Sequence, residues 1–221
     1  MFAVFALIAM KNLIRFFNRV GDLKEMPRRG WVINDIKNPE SISDHIFRAS
    51  LMAWILGSKK GGLKIERLLK MALIHDLCEI YAGDTTPYDS VLPKNAKKRK
   101  EFMKKWPRFS NVQKIKLSNQ KHKKEEKALD KLLLDLPANL KKEIKNLWMD
   151  YEKGLTPEGR FFKQTDRLEN FLQATEYWKK YKKPPQGPWW EWAREFFDDS
   201  SSLDFIEEMA KQFHKKFKPK K

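Results

Sequence analysis

One cysteine in 221 residues, Cys78, leaves no pair for an internal disulfide framework, and a lone thiol in an apolar run fits a reducing, cytoplasmic setting. The opening MFAVFALIAM is apolar but only ten residues long. A bilayer-spanning helix needs about 20. The segment also lacks the basic leader and small-residue cleavage site of a signal peptide, so no membrane association is expected. A helix can begin at Met10 instead, with the preceding nine residues a mis-assigned start or an extension packed on a neighbour. No glycine-rich phosphate loop, zinc knuckle or strand-borne RNA-binding signature is present, which removes the commonest modular nucleotide and nucleic-acid binders. No alternating strand pattern of useful length occurs, and no internal repeat. An all-α fold is what remains.

What is present is charge and apolar periodicity. Hydrophobic residues make up 41 % and charged residues 34 % of the chain, a globular balance, and the length fits a single domain over residues 1–221 with a full core. The net charge of +17 is unevenly spread. Between Lys94 and Lys127, 14 Lys/Arg face 3 acids, a net of +11, which leaves +6 for the rest. This basic segment is read as an insertion at about 93–120, and a second basic stretch forms the tail at 215–221. Such runs are ordinarily solvated helix surface. The functional alternative is a field that draws phosphate-bearing ligands, or nucleic acid without sequence preference, and the latter is not favoured.

Apolar spacing places helices over Lys11–Leu23, from Ser41 or Ser43 to Gly57, over about Leu63–Tyr81, about Leu117–Leu134, Asn139–Tyr151 and Pro157–Tyr181, with a last helical region opening at Trp189. The segment PRRGWVINDIKNPES reads as a loop and Pro107 as a break. Within LLKMALIHDLCEI, a continuous helix stacks His75 and Glu79 on one side, with Asp76 about 100° round. Two adjacent metal-type ligands with a carboxylate one turn on are costly to bury unless a cation compensates them. By spacing alone, His45 reads as a helix-start histidine and Asp166 as an ordinary ion-pair partner. His122 and His214 sit among lysines and are expected to be exposed.

The order SISDHIFRASLMA, ALIHDLCEIYAGDTTP, FKQTDRLENFLQA resembles the HD-domain metal-dependent phosphohydrolases, and within them the 5′-deoxynucleotidase branch. The likeness covers roughly residues 11–92 and 121–180, and its motifs are specific in combination. It implies an HD-domain helical bundle in which His45, His75, Asp76 and Asp166 hold one divalent metal ion; a mixed N/O set suits Mn²⁺, Co²⁺, Fe²⁺ or Zn²⁺. It further implies Glu79 and Asp84 as catalytic carboxylates, without fixing which assists the leaving group and which the water. Phosphate recognition falls to Arg28 or Arg29, with Arg29 preferred, and sugar recognition to Trp31. The expected partners are a small-molecule nucleotide and a second copy of the chain as a homodimer. The expected activity is hydrolysis of deoxynucleoside 5′-monophosphates. The alternatives are another nucleotide phosphoester (a dNTP or cyclic nucleotide), or a basic all-α nucleic-acid-binding module with a non-catalytic HD site. The basic segment adds about two dozen residues to the compact family pattern.

Overall fold

The computed structural model describes residues 2–105, 109–182, 195 and 197–216. Its regular elements are helices: α1 (Phe2–Gly21), α2 (Arg29–Ile33), α3 (Ile42–Lys60), α4 (Ile65–Ile74), α5 (Glu79–Ala82), α6 (Ala96–Lys105), α7 (Asn111–Leu132), α8 (Ala138–Lys153), α9 (Pro157–Tyr181) and α10 (Ser200–Lys216). Among the described residues the sole β-type pairing is an isolated antiparallel bridge between Pro27 and Ser41. The all-α expectation holds. None of the described helices is long and apolar enough to cross a membrane. The expected break at Pro107, the helix start at Trp189 and the tail beyond Lys216 lie outside the described residues.

The helices group into two compact units, residues 1–46 with 74–146 and residues 47–73 with 147–221. In the first, α7 packs on α5, and α1 packs on the 3₁₀ turns at Asp22–Lys24 and Leu133–Asp135. Leu23, Ile42, Leu129 and Leu133 are almost fully buried there, each worth about 1.5–3 kcal/mol of transfer free energy. Helix α1 starts at Phe2, so Met10 falls inside it rather than at its edge.

Helix α3 runs three residues past the expected end at Gly57, to Lys60, and three further differences from expectation each have a local reason. Helix α7 begins six residues before Leu117 because Ser110 and Gln113 form a reciprocal capping box: the Gln113 amide donates to Ser110 Oγ (3.3 Å) and the Ser110 amide to Gln113 Oε1 (2.9 Å). The loop over 27–41 contains α2, and its ends are tied by the bridge, with Arg28 N–H donating to Glu40 O (3.0 Å) and Ile42 N–H to Met26 O (2.9 Å). Ser41, not Ser43, caps α3: its Oγ accepts from the Asp44 amide (3.1 Å), while Asp44 Oδ2 accepts from the Ser41 amide (2.8 Å).

The third difference lies at the centre of the site. The continuous helix expected over Leu63–Tyr81 is interrupted: α4 stops at Ile74, residues 75–78 form a turn, and α5 resumes at Glu79. Amides of Leu77, Glu79 and Ile80 bond three residues back, to Ile74, Asp76 and Leu77 (3.1, 3.0 and 3.3 Å). Such bonding winds the chain at about 120° per residue instead of 100°. His75, Asp76 and Glu79 therefore leave a tightened turn rather than the face of a regular helix. Gly83, at φ +72°, ends α5 in a conformation that other residues adopt at a cost.

In the second unit Met52, Leu168, Phe171, Ile206, Met209 and Phe213 belong to one apolar cluster. Beside it Asp150 is a buried carboxylate hub. It accepts from Arg67 Nη2 (2.6 Å), Thr156 N (2.8 Å) and Thr156 Oγ1 (2.6 Å), and Thr156 in turn caps α9 through the Gly159 amide (3.1 Å). A Cβ on Gly159 would stand 2.3 Å from Asp150 Oδ1 and 2.6 Å from its carbonyl oxygen. Gly159→Ala is therefore expected to cost about 2–4 kcal/mol and lower the thermal midpoint by about 5–10 °C. Thermal denaturation followed by circular dichroism measures this, and an unchanged midpoint would mean the hub yields freely.

Candidate metal centre and active site

His45 lies in the first turn of α3, just after the Ser41 cap, and His75 and Asp76 lie in the tightened turn after α4. The bridge between Pro27 and Ser41 and the turn bring them together within the first unit. His45 Nε2 and His75 Nε2 are 3.3 Å apart; Asp76 Oδ2 is 3.2 Å from the His75 nitrogen and 3.6 Å from that of His45. Both imidazoles are completely buried, at 0 and 1 % exposure.

These separations test the fit of a cation. Ligand atoms about 2.1 Å from one first-row ion stand about 3.0 Å apart at a right angle and about 3.4 Å apart at the tetrahedral angle. The three observed spacings have the size of such polyhedron edges. Two neutral imidazole nitrogens with a carboxylate oxygen also form the donor chemistry that Zn²⁺, Mn²⁺, Co²⁺ and Fe²⁺ accept. The residues fit a divalent metal ion.

Around this triangle the charges are arranged with purpose. Arg28 Nη1 donates to Asp76 Oδ2 (3.0 Å) and lies 3.7 Å from Asp84 Oδ2. Asp84 Oδ2 also accepts the Arg29 backbone N–H at 2.8 Å, so the carboxylate after Gly83 is fastened to the start of α2. Burial alone would raise the Asp76 pKa, but the charge and hydrogen bond of His75, followed by Arg28 and His45, hold the carboxyl well below the usual carboxylate range. Glu79 has the opposite environment. It is 2 % exposed, and burial first, then the negative charges of Asp76 and Asp84, push its carboxyl well above the ordinary range. Its Oε2 is buried without a hydrogen-bond partner. Two carboxyls three residues apart are thus pushed in opposite directions by their surroundings.

The two neighbouring arginines diverge. Arg28 turns to Asp76 and Asp84, whereas Arg29 Nε donates to Asp89 Oδ1 at 2.7 Å. Asp89 is itself held by the amide and hydroxyl of Thr86 (2.7 and 3.0 Å). The guanidinium that reaches the cluster is that of Arg28, not the preferred Arg29. Trp31 is half-buried, and its indole N–H donates to Glu40 Oε1 at 2.8 Å, which fixes the ring's orientation. Asp166 belongs to α9 in the second unit, where its Oδ2 accepts from the Tyr151 hydroxyl (2.8 Å). His122 is half-buried and has polar company, contrary to the exposed placement expected for it. Sequence reasoning passed over Lys121 and Glu125 on α7. Glu125 is buried, with Lys121 Nζ 3.3 Å from its Oε1. A signal for Glu125 existed: it occupies an apolar stripe with Ala128, Leu129 and Leu132, where an acid is out of place.

Comparison with known proteins agrees with this geometry. A protein named 5′-deoxynucleotidase HDDC2 from Xenopus laevis is 36 % identical over 176 residues, 80 % of this chain and 74 % of that one. Its namesake from Bos taurus is 37 % identical over 79 % and 72 % of the respective chains. Among solved structures, a conserved hypothetical protein from Pyrococcus furiosus aligns with a TM-score of 0.61 at 30 % identity, covering 90 % of this chain and 99 % of the other. A sequence model of the HD domain matches residues 20–191, a span that includes His45, His75, Asp76 and Asp166. With the histidines and aspartate of the first unit clustered at cation spacing in an all-helical fold, and that match spanning most of its length, the chain belongs to the HD-domain family.

Proposed function

We propose that the protein is a metal-dependent 5′-deoxynucleotidase that hydrolyses deoxynucleoside 5′-monophosphates to deoxynucleoside and phosphate. The observation that carries the reading is the triangle of His45, His75 and Asp76 ligand atoms at 3.2–3.6 Å, with the buried Glu79 carboxyl one turn away. The family match and the names of its relatives support the same activity. Asp166 is proposed as the fourth ligand, on the order in which the family motif runs. A bound divalent ion, one of Mn²⁺, Co²⁺, Fe²⁺ or Zn²⁺, would supply Lewis-acid polarisation of the phosphoryl group and acidify water.

The chain's own residues account for the rest. Water attacks phosphorus, the bond from phosphorus to the 5′-oxygen breaks, and the departing oxygen needs a proton. Glu79, whose burial favours the protonated form, is assigned as donor to that oxygen. Asp84, its Oδ2 taken by the Arg29 amide, is assigned to orient and deprotonate the attacking water with its other oxygen. Arg28 is assigned to the phosphate, in place of Arg29. Trp31, its ring set by Glu40, is assigned to the face of the sugar, where a 2′-hydroxyl would be excluded. The working molecule is proposed to be a cytoplasmic homodimer of single-domain chains. The family match runs through residues of both units, which supports treating them as one domain.

A phosphate-release panel of dNMPs, NMPs and dNTPs with Mn²⁺ or Co²⁺ supplied tests this reading. Release from dNMPs in clear preference to the others is expected. Equal rates on NMPs would remove the role given to Trp31, and no release from dNMPs would remove the function. In the same assay Arg28→Met is expected to raise KM for a dNMP by about tenfold or more, the worth of one charge-assisted hydrogen bond, with Arg29→Met changing it far less.

A further inference from the structure

The basic segment is mostly solvated, as its composition suggests, but one of its exposed lysines is paired with a buried acid. Lys114, Lys116, Lys123, Lys124 and Lys127 are exposed along α7. Lys121 is exposed on α7 as well, but its ammonium is 3.3 Å from the buried carboxylate of Glu125; burial lowers its pKa, and the negative charges of Glu125, Glu79, Asp76 and Asp84 more than offset that and hold it above the ordinary lysine range. Helix α7 packs against α5, the helix that carries Glu79. The lysine side chain keeps 45 % of its surface open, whereas its Glu125 anchor keeps 5 %. One end of the ion pair is buried and the other is open to solvent.

A phosphate monoester approaching Asp76, Glu79, Asp84 and Glu125 meets repulsion from every ionised carboxylate, since it carries nearly two negative charges near neutral pH. Arg28 is one compensating cation, already committed to Asp76 and Asp84. A second cation, anchored from behind by a buried acid and open in front, lowers that electrostatic cost while keeping donors for a phosphoryl oxygen. We infer that Lys121, oriented by Glu125, is a second phosphate-binding side chain of this site. The inference deepens the phosphomonoester reading above and rests on it for the substrate class, though its test does not require turnover.

The test is calorimetric titration of inorganic phosphate into the Mn²⁺-loaded full-length protein at fixed ionic strength. Lys121→Met and Lys121→Gln are expected to weaken phosphate binding about tenfold, the usual size of one charge-assisted contact. Lys121→Arg, which keeps the charge, is expected to stay within about threefold. Lys124→Met, which removes an exposed charge from the same helix, serves as the control for a diffuse field and is expected to bind as wild type does. Wild-type affinity in Lys121→Met, a loss no greater than that of Lys124→Met, or a wild-type protein that binds no phosphate would each overturn the inference. A wild type that binds phosphate with the expected loss in Lys121→Met, yet releases none from dNMPs, would sink the deoxynucleotidase reading and leave this inference standing.

Discussion

Asp76→Ala is expected to yield a folded protein that retains almost no divalent metal after gel filtration and releases phosphate from dNMPs about a thousandfold or more slowly than wild type. Asp76 Oδ2 lies within 3.2–3.6 Å of both imidazole nitrogens and accepts from Arg28. Truncation therefore deletes a ligand and leaves a guanidinium facing two histidines without its nearest counter-charge. Coordination by the remaining side chains is weakened, and the freed Arg28 charge repels any cation that enters. Asp84 still lies 3.7 Å from Arg28, so the arginine keeps a partner and the fold survives. Asp76→Asn separates ligation from packing: it preserves shape and an acceptor for Arg28 but offers the metal a neutral oxygen. Metal content by inductively coupled plasma mass spectrometry and phosphate release by colorimetry read the two effects. Full metal occupancy in Asp76→Ala, or undiminished turnover, would show that the three-atom cluster is not the metal site.

Glu79→Gln is expected to behave differently: full metal content, nearly unchanged KM, and kcat lower by about 10²–10⁴-fold, the usual span for losing a general acid or base. The substitution keeps size and hydrogen-bonding capacity and removes the transferable proton. Burial and the charges of Asp76 and Asp84 push the Glu79 carboxyl well above the ordinary range, and its Oε2 has no hydrogen-bond partner among the described residues. Both facts suit a group whose proton is destined for the substrate. The role has a chemical signature. An aryl phosphate, whose leaving group departs without protonation, should lose far less rate in Glu79→Gln than a dNMP does. Equal losses on both substrates would assign Glu79 to metal or water positioning instead.

Part of the candidate site is legible in the sequence, and the reasons differ by residue. His75, Asp76 and Glu79 stood out because polar groups in an apolar run demand compensation. His45 and Asp166 stood out only through the order of motifs, since neither carries a local signal. The tightened turn at 75–78 was not legible: Leu77 and Cys78 are as compatible with a continuous helix as with a turn, and the bonds that shorten the winding are main-chain bonds. Arg28 and Arg29 could not be told apart because their divergence depends on backbone phase. Arg28 is the extended residue before α2, with ψ 119°, and Arg29 the first helical one. Lys121 was hidden by its surroundings, since one lysine paired with a buried acid among many solvated ones leaves composition unchanged. The all-helical class, by contrast, followed directly from the lack of period-two patterning.

The isolated bridge that closes the 27–41 loop has a consequence for how that loop can vary. Its bonds, Arg28 N–H to Glu40 O and Ile42 N–H to Met26 O, join main-chain atoms at the neck of the loop. They are therefore indifferent to which side chains occupy the crown between Val32 and Asn38. Changes at the crown can leave the neck intact, and with it the hold of Arg28 on Asp76 and Asp84. Two peptide hydrogen bonds thus tolerate side-chain turnover above them without moving the guanidinium below.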